Sequence, residues 1–225
     1  MNKEMLKTFR LIIPGILIVL FLLPIYQREL SIESLNKIKI IFDSRIIIIL
    51  GIVIGTLYYI LNFRSWFFSK PVKKINDNIK YKLLKMCDNN PLILNKNKSL
   101  TTGRTLMIIF YRIIDNDESL KDIAKSVRLN GLIWSSIADV KATSLIVSFI
   151  YLILSWMSFK WLYFICGLAL ITTHIIAFFL MSLVTQKQLS LSNEQLENIN
   201  LHHIKEVNNL IEDAAERLPN DDQQA

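Results

Sequence analysis

Apolar and polar positions in this chain separate into long blocks. The longest apolar block runs from Thr143 to Val184 and holds one full charge in 42 residues, Lys160, set between Trp156 and Trp161. A helix rises about 1.5 Å per residue, so roughly 20 apolar residues cross the hydrocarbon core of a bilayer, about 30 Å thick. The block is too long for one span and suits two, about 143–159 and 161–184, folded back at Ser158-Phe159-Lys160. The Trp residues beside that turn suit a membrane–water interface. Two further apolar blocks precede it. Residues 11–26, LIIPGILIVLFLLPIY, follow the basic start MNKEMLKTFR, and no small-residue cleavage pattern appears in QRELSIESL. This predicts an uncleaved first span over about 9–26, with Pro14 and Pro24 near its ends. Residues 46–62, IIIILGIVIGTLYYILN, are read as a second span with Tyr58 and Tyr59 near an interface.

The polar blocks complete the plan. Residues 27–45 are a connector, 63–142 a hydrophilic insert and 185–225 a tail. The expected fold is all-α: an integral membrane protein with four transmembrane helices (2 + 2). The domains are an N-terminal membrane hairpin (1–62), a helical cytosolic insert (63–142), a C-terminal membrane hairpin (143–184) and a cytosolic amphipathic tail helix (185–225).

Within the insert, Ile75, Ile79, Leu83 and either Met86 or Cys87 recur at helical spacing, with Lys73, Lys74, Lys80, Lys82 and Lys85 around them. A basic amphipathic helix of this kind lies on an anionic membrane surface. Nucleic acid or a nucleotide attracts the same charges, and a solvated lobe is the plainest reading. Ser99–Thr105 offers a turn of backbone donors plus Arg104 for phosphate, without Walker spacing or its Lys. Thr105–Ile114 is read as helix. Asp115-Asn-Asp-Glu118 is a helix start, with acids at the positive end of the dipole. Leu120, Ile123, Ala124 and Val127 then share a face. Asn130-Gly131 is read as a break or kink, after which Leu132–Val140 runs into the third span. In the tail, Ser192-Asn-Glu-Gln195 reads as a capping box and Leu218-Pro219 as a stop. Leu196, Ile199, His203, Val207, Leu210, Ala214 and Leu218 line one face, which needs either the insert or another subunit as its partner.

The spans carry few polar groups. Gly51 and Gly55 make a flat groove for a neighbouring span of the same chain or of another copy. Ser144, Ser148, Tyr151, Ser155 and Ser158 fall on one face of the third span, either as helix-packing contacts or as the lining of a water path. His174 stands near the middle of the fourth span. It is read as bonded to a Ser of the third or, alternatively, as a titrating gate.

Charge sets the orientation. The net charge is +7, the chain is 52% hydrophobic, and its mean hydropathy is +0.37. With both termini cytoplasmic, 21 of the 26 Lys and Arg lie inside, as the positive-inside rule requires. Abundant Ile, Asn and Lys fit an AT-rich bacterial genome, and hence the bacterial inner membrane. Cys87 and Cys166 have no partner at ligand spacing, and His202 with Glu206 supplies only two ligands. The chain has no GxSxG, CxxC, HExxH, Gly-rich nucleotide motif or carboxylate cluster, so neither an enzyme nor a cofactor is expected.

Two spans, a cytosolic insert, two spans and a cytosolic tail resemble, over the whole chain, the small four-span bacterial membrane effectors of anti-phage defence associated with oligonucleotide-cyclase signalling. Asn130–Ala138 departs from the polar stretch of that family, so no functional residue is transferred. The resemblance implies an oligomeric sensor or effector that couples a cytosolic partner or ligand to rearrangement of its spans. A non-conducting anchor or immunity-type interaction protein is the alternative. A small transporter is disfavoured, because His174 is the one acid or base expected deep in a span.

Overall fold

A computed structural model of the chain describes residues 3–29, 44–87 and 91–218. Most of the connector predicted over 27–45, and the Pro219 stop, lie outside these residues. Every regular element described is a helix. In chain order they are α1 (Lys3–Glu29), α2 (Ser44–Ile60), α3 (Phe63–Met86), α4 (Pro91–Asn95), α5 (Asn97–Thr102), α6 (Thr105–Asn116), α7 (Glu118–Ser158), α8 (Trp161–His202) and α9 (Ile204–Glu216). This is an all-α membrane protein. Glu4–Ile25, Ile123–Ser158 and Trp161–His202 are each long and apolar enough to span, and Ile47–Ile60 with Phe63–Met86 adds a fourth if that bent pair counts as one.

The chain divides into two compact units. One, the span unit, comprises Met1–Ser69 and Gly131–Val184; the other, the helical lobe, comprises Lys70–Asn130 and Thr185–Ala225. The span unit thus takes 63–69 and 131–142 from the stretch read as insert. The reason is packing: Phe68 stacks on Trp134 with ring centres 4.4 Å apart, and Ala138, Asp139 and Ala142 are buried.

In the span unit, the second predicted span is short. α2 has 17 residues, at the short end of the range for a span, and ends where Asn62 takes a left-handed φ of 54°. Asn tolerates that conformation better than most residues. The chain bends by 61° into α3. Tyr58, expected at an interface, is buried instead. The α7–α8 hairpin has a core of Val147, Tyr151, Tyr163 and Leu170, against which Phe21, Leu22 and Ile25 of α1 pack. The Tyr151 hydroxyl donates to the Phe21 carbonyl at 2.8 Å.

The lobe buries Ile75, Ile79, Leu83, Leu100, Leu106, Phe110, Ile113, Leu196, Ile199, Val207, Ile211 and Ala215. The apolar stripe of the basic helix is therefore inside the protein, and no bilayer can receive it. Thr105–Asn116 is helix as expected, and Glu118 starts the next. Asn130-Gly131 does not break α7. The Asn130 side chain donates 2.6 Å to Gln188 in the interior, and a glycine costs a helix only about 1 kcal/mol. Ser192 does not start a helix either, since α8 runs unbroken from Trp161 to His202. Its buried hydroxyl turns back to the Gln188 carbonyl at 2.8 Å, a bond that competes with capping.

Candidate functional site

The most unusual chemistry of the span unit is a buried ion cluster. It begins with Pro14, which has no N–H and so leaves the Arg10 carbonyl of α1 without its helical donor. The bend at Asn62 puts Arg64 in the first turn of α3, and Arg64 Nη2 donates to that carbonyl at 2.6 Å. The same guanidinium grips Asp139 of α7 with both arms, Nε to Oδ1 at 2.7 Å and Nη2 to Oδ2 at 2.8 Å. The Tyr58 hydroxyl adds a third bond to Oδ1 at 3.1 Å. Asp139 is fully buried, at 0% exposure, and Tyr58 is at 3%. Arg10 lies alongside, its Nη2 3.4 Å from where a Cβ at Gly131 would stand. Its Nε is buried with no hydrogen-bond partner among the described residues. A forked guanidinium–carboxylate pair is strong and directional. Removing one member of such a buried pair costs about 3–5 kcal/mol, because the other charge is stranded. With three donors on its carboxylate, Asp139 acts as a clamp joining α1, the α2–α3 bend and α7.

The glycine groove is filled from within the chain. Gly51 and Gly55 meet Leu11, Gly15 and Ile16 of α1, and a Cβ at Gly15 would collide with the Gly51 carbonyl. Small residues on both helices allow this backbone approach. The groove is therefore not open to a second copy.

The first half of the serine stripe is likewise closed, while Ser155 is half-buried and Ser158 exposed. Ser144, Ser148 and Tyr151 are buried. Ser144 and Ser148 return their hydroxyls to the Lys141 and Leu145 carbonyls of their own helix, and Ser155 reaches the Lys160 carbonyl at 3.5 Å. Among the described residues, His174 is bonded to a backbone carbonyl of α7 and not to a Ser of the stripe. Its Nδ1 donates to the Lys141 carbonyl at 2.8 Å, and its ring stands edge-on to Phe67. Lys141 directs its ammonium over Phe67 and Phe178, 5.4 and 4.6 Å from their ring centres.

In the lobe, the basic residues do not converge. Lys80 and Lys85 line one groove of about 320 Å³ with Tyr81, Asn97 and Thr101, and Asp77 stands at the same groove. Lys80 donates 2.6 Å to the Thr101 carbonyl. Lys73, Lys74 and Arg104 are exposed and Lys82 is half-buried, none of them lining it. Ser99–Thr105 is not a phosphate turn: α5 extends to Thr102, and Gly103 is extended with φ −78°.

The tail stripe belongs to the lobe itself. Leu196, Ile199 and Val207 are buried within it. The helix breaks at His203, and beyond the break Ile211 and Ala215 turn inward while Leu210, Ala214 and Leu218 are half-buried. Lys96 closes the C-terminal end of α9 by donating to the Ala215 and Leu218 carbonyls, 2.7 Å each. Cations are favourable there. At the break, His203 Nε2 meets Asp117 at 2.5 Å and Nδ1 meets Glu206 at 3.3 Å. Asp117 chiefly raises the His203 pKa above its ordinary range; burial opposes this, and Glu206 adds to it.

Sequence reading missed Asp139, Arg64, Arg10, Tyr58 and Gly15 as working residues. Local signals pointed to two of them: an acid, Asp139, flanked by Ala138 and Val140 in a nearly apolar run, and a proline four residues after Arg10. No family model, curated protein or solved structure matches this chain.

Proposed function

We propose that the chain is a sensor or effector of the bacterial inner membrane, with both termini cytoplasmic. A cytosolic partner or ligand engages the insert and tail, and this engagement is coupled to rearrangement of the spans. Membrane perturbation during anti-phage defence is the role this reading assigns to it. One observation carries the reading: α3, α7 and α8 each contribute residues to both units, and on two of them Arg64 and Asp139 form the clamp of the span unit. A change in lobe packing has continuous helices along which to act. On this reading, the buried Ser144 and Ser148 and the filled glycine groove belong to the resting state. Oligomer contacts would fall on exposed apolar faces such as Phe149, Ile153, Phe178 and Phe179.

The test is a membrane-potential assay in bacteria expressing the chain. Asp139→Asn, and the milder Arg64→Lys, which keeps the charge but loses the fork, should depolarise cells without any trigger. An unchanged potential, with both variants inserted at the parent's level, would overturn the effector reading. It would favour the non-conducting anchor or immunity-type protein, which the back-bonding of Ser144 and Ser148 also fits.

A further inference from the structure

The outer side of α6 breaks the pattern of the lobe. Its inner side buries Leu106, Phe110 and Ile113, yet Ile108 is 64% exposed and Tyr111 55%. Steps of four, three and four residues put Arg104, Ile108, Tyr111 and Asp115 on one face, with Arg112 next to them, and all five are exposed. Asp115 is paired with Arg128 at 3.2 Å. Among the described residues, the Arg104 and Arg112 side chains form no hydrogen bond or ion pair. A tyrosine and an isoleucine held in water between arginines have the composition of a protein–protein contact, where aromatic residues and Arg are enriched and act as anchors.

A complementary face stands on the neighbouring helix. α9 packs against α6, and its start is tied to the end of α6 by His203 and Asp117. α9 holds four acids, Glu206, Glu212, Asp213 and Glu216, to one base, Lys205, with Arg217 following as its C-cap. Val207, Ile211 and Ala215 fill its inner side, while Asp213 and Glu216 are exposed. Neither of these two acids pairs with a cation among the described residues, so the arginines of α6 and the acids of α9 do not neutralise each other within one chain. A lobe with a basic face on one helix and an acidic face on the next carries its own complement. Two copies related by a two-fold axis can join both pairs of faces at once.

We propose that the lobe is a self-association module. The α6 face bearing Arg104 and Arg112 docks on the α9 face bearing Asp213 and Glu216 in a second copy of this chain, with Ile108 and Tyr111 covered at the centre. Exposed ion pairs contribute little singly, so the apolar pair supplies adhesion and the charges select partner and register. The inference needs neither conduction nor a trigger, and it stands whether the chain is an effector or an anchor.

The test uses the full chain in bacterial membranes, expressed as two copies with different affinity tags. One copy carries the photoreactive residue p-benzoylphenylalanine in place of Tyr111, which keeps an aromatic ring there. Illumination should give an adduct bearing both tags, with its attachment point in α9 of the second copy. Arg104→Glu with Arg112→Glu on the photoreactive copy should lower the yield about tenfold. Asp213→Lys with Glu216→Lys on the other copy should then restore it, a rescue that misfolding could not produce. Absence of a doubly tagged adduct, or attachment to lipid, to an unrelated protein or to α6 of the second copy, overturns the proposal. So does a yield that ignores the charge reversals, or a loss that the second pair does not reverse.

Discussion

The two units of this protein solve opposite burial problems. In the span unit, apolar side chains point outward: Ile49, Val53, Phe149, Ile153, Phe178 and Phe179 are exposed, while Asp139, Thr143, Ser144 and Ser148 are buried. The lobe has the usual order, with Leu83, Leu106, Ile199 and Ile211 inside and Lys73, Lys74, Lys187, Glu194 and Glu197 outside. The difference follows from the solvent. Against lipid, apolar surface gains nothing by being buried, so helices associate through close backbone approach and polar bonds. Against water, burial of apolar area dominates. One unit is therefore held by Gly15 against Gly51 and by Arg64 on Asp139, and the other by an aliphatic core.

This contrast can be tested at its strongest point first. Asp139→Ala should destabilise the detergent-solubilised protein by about 3–5 kcal/mol, because Arg64 and Arg10 lose their counter-charge. A double-mutant cycle with Arg64→Met, read by chemical unfolding, should show strong coupling. Additive losses would mean that the pair holds nothing. In the lobe, Ile211→Ala should cost about 2–5 kcal/mol, as aliphatic truncations in cores do. Half-buried Leu210→Ala should cost clearly less. Hydrogen exchange on α9 checks this, and equal losses would argue against the inward turn of Ile211 after His203.

The smallest expected effect concerns pH. His203 is raised in the folded protein by Asp117 and Glu206. Its stabilisation is therefore fully present below the unfolded pKa, about 6.5, and is lost as pH rises through the raised folded value. Exchange protection factors around the α8–α9 junction should fall over that window, and His203→Gln should flatten the dependence. A junction that tightens with rising pH contradicts the pairing.

How much was legible depended on whether a signal was local. The apolar blocks placed the α7–α8 hairpin at its Ser158–Lys160 turn, and the helical spacing of Ile75, Ile79 and Leu83 identified a true buried face. What would cover that face was misread, because a stripe of this kind fits a bilayer and a protein core equally well. The Asn130-Gly131 and Ser192–Gln195 signals failed for another reason. Each is worth about 1 kcal/mol, too little against helices that the tertiary contacts of Asn130 and Gln188 keep intact.

By itself, then, the order of residues determined the helical class, the apolar lengths that make this a membrane protein, and the turn joining its last two spans. These follow from composition averaged over tens of residues, where bilayer thickness and helical rise leave little choice. Only the tertiary structure decided which polar groups meet. Arg10, Tyr58, Arg64 and Asp139 are far apart in the chain, and no periodicity encodes their meeting. It required a proline that frees one carbonyl, an asparagine that turns a helix, and the close backbone approach of α1 to α2 at Gly15 and Gly51.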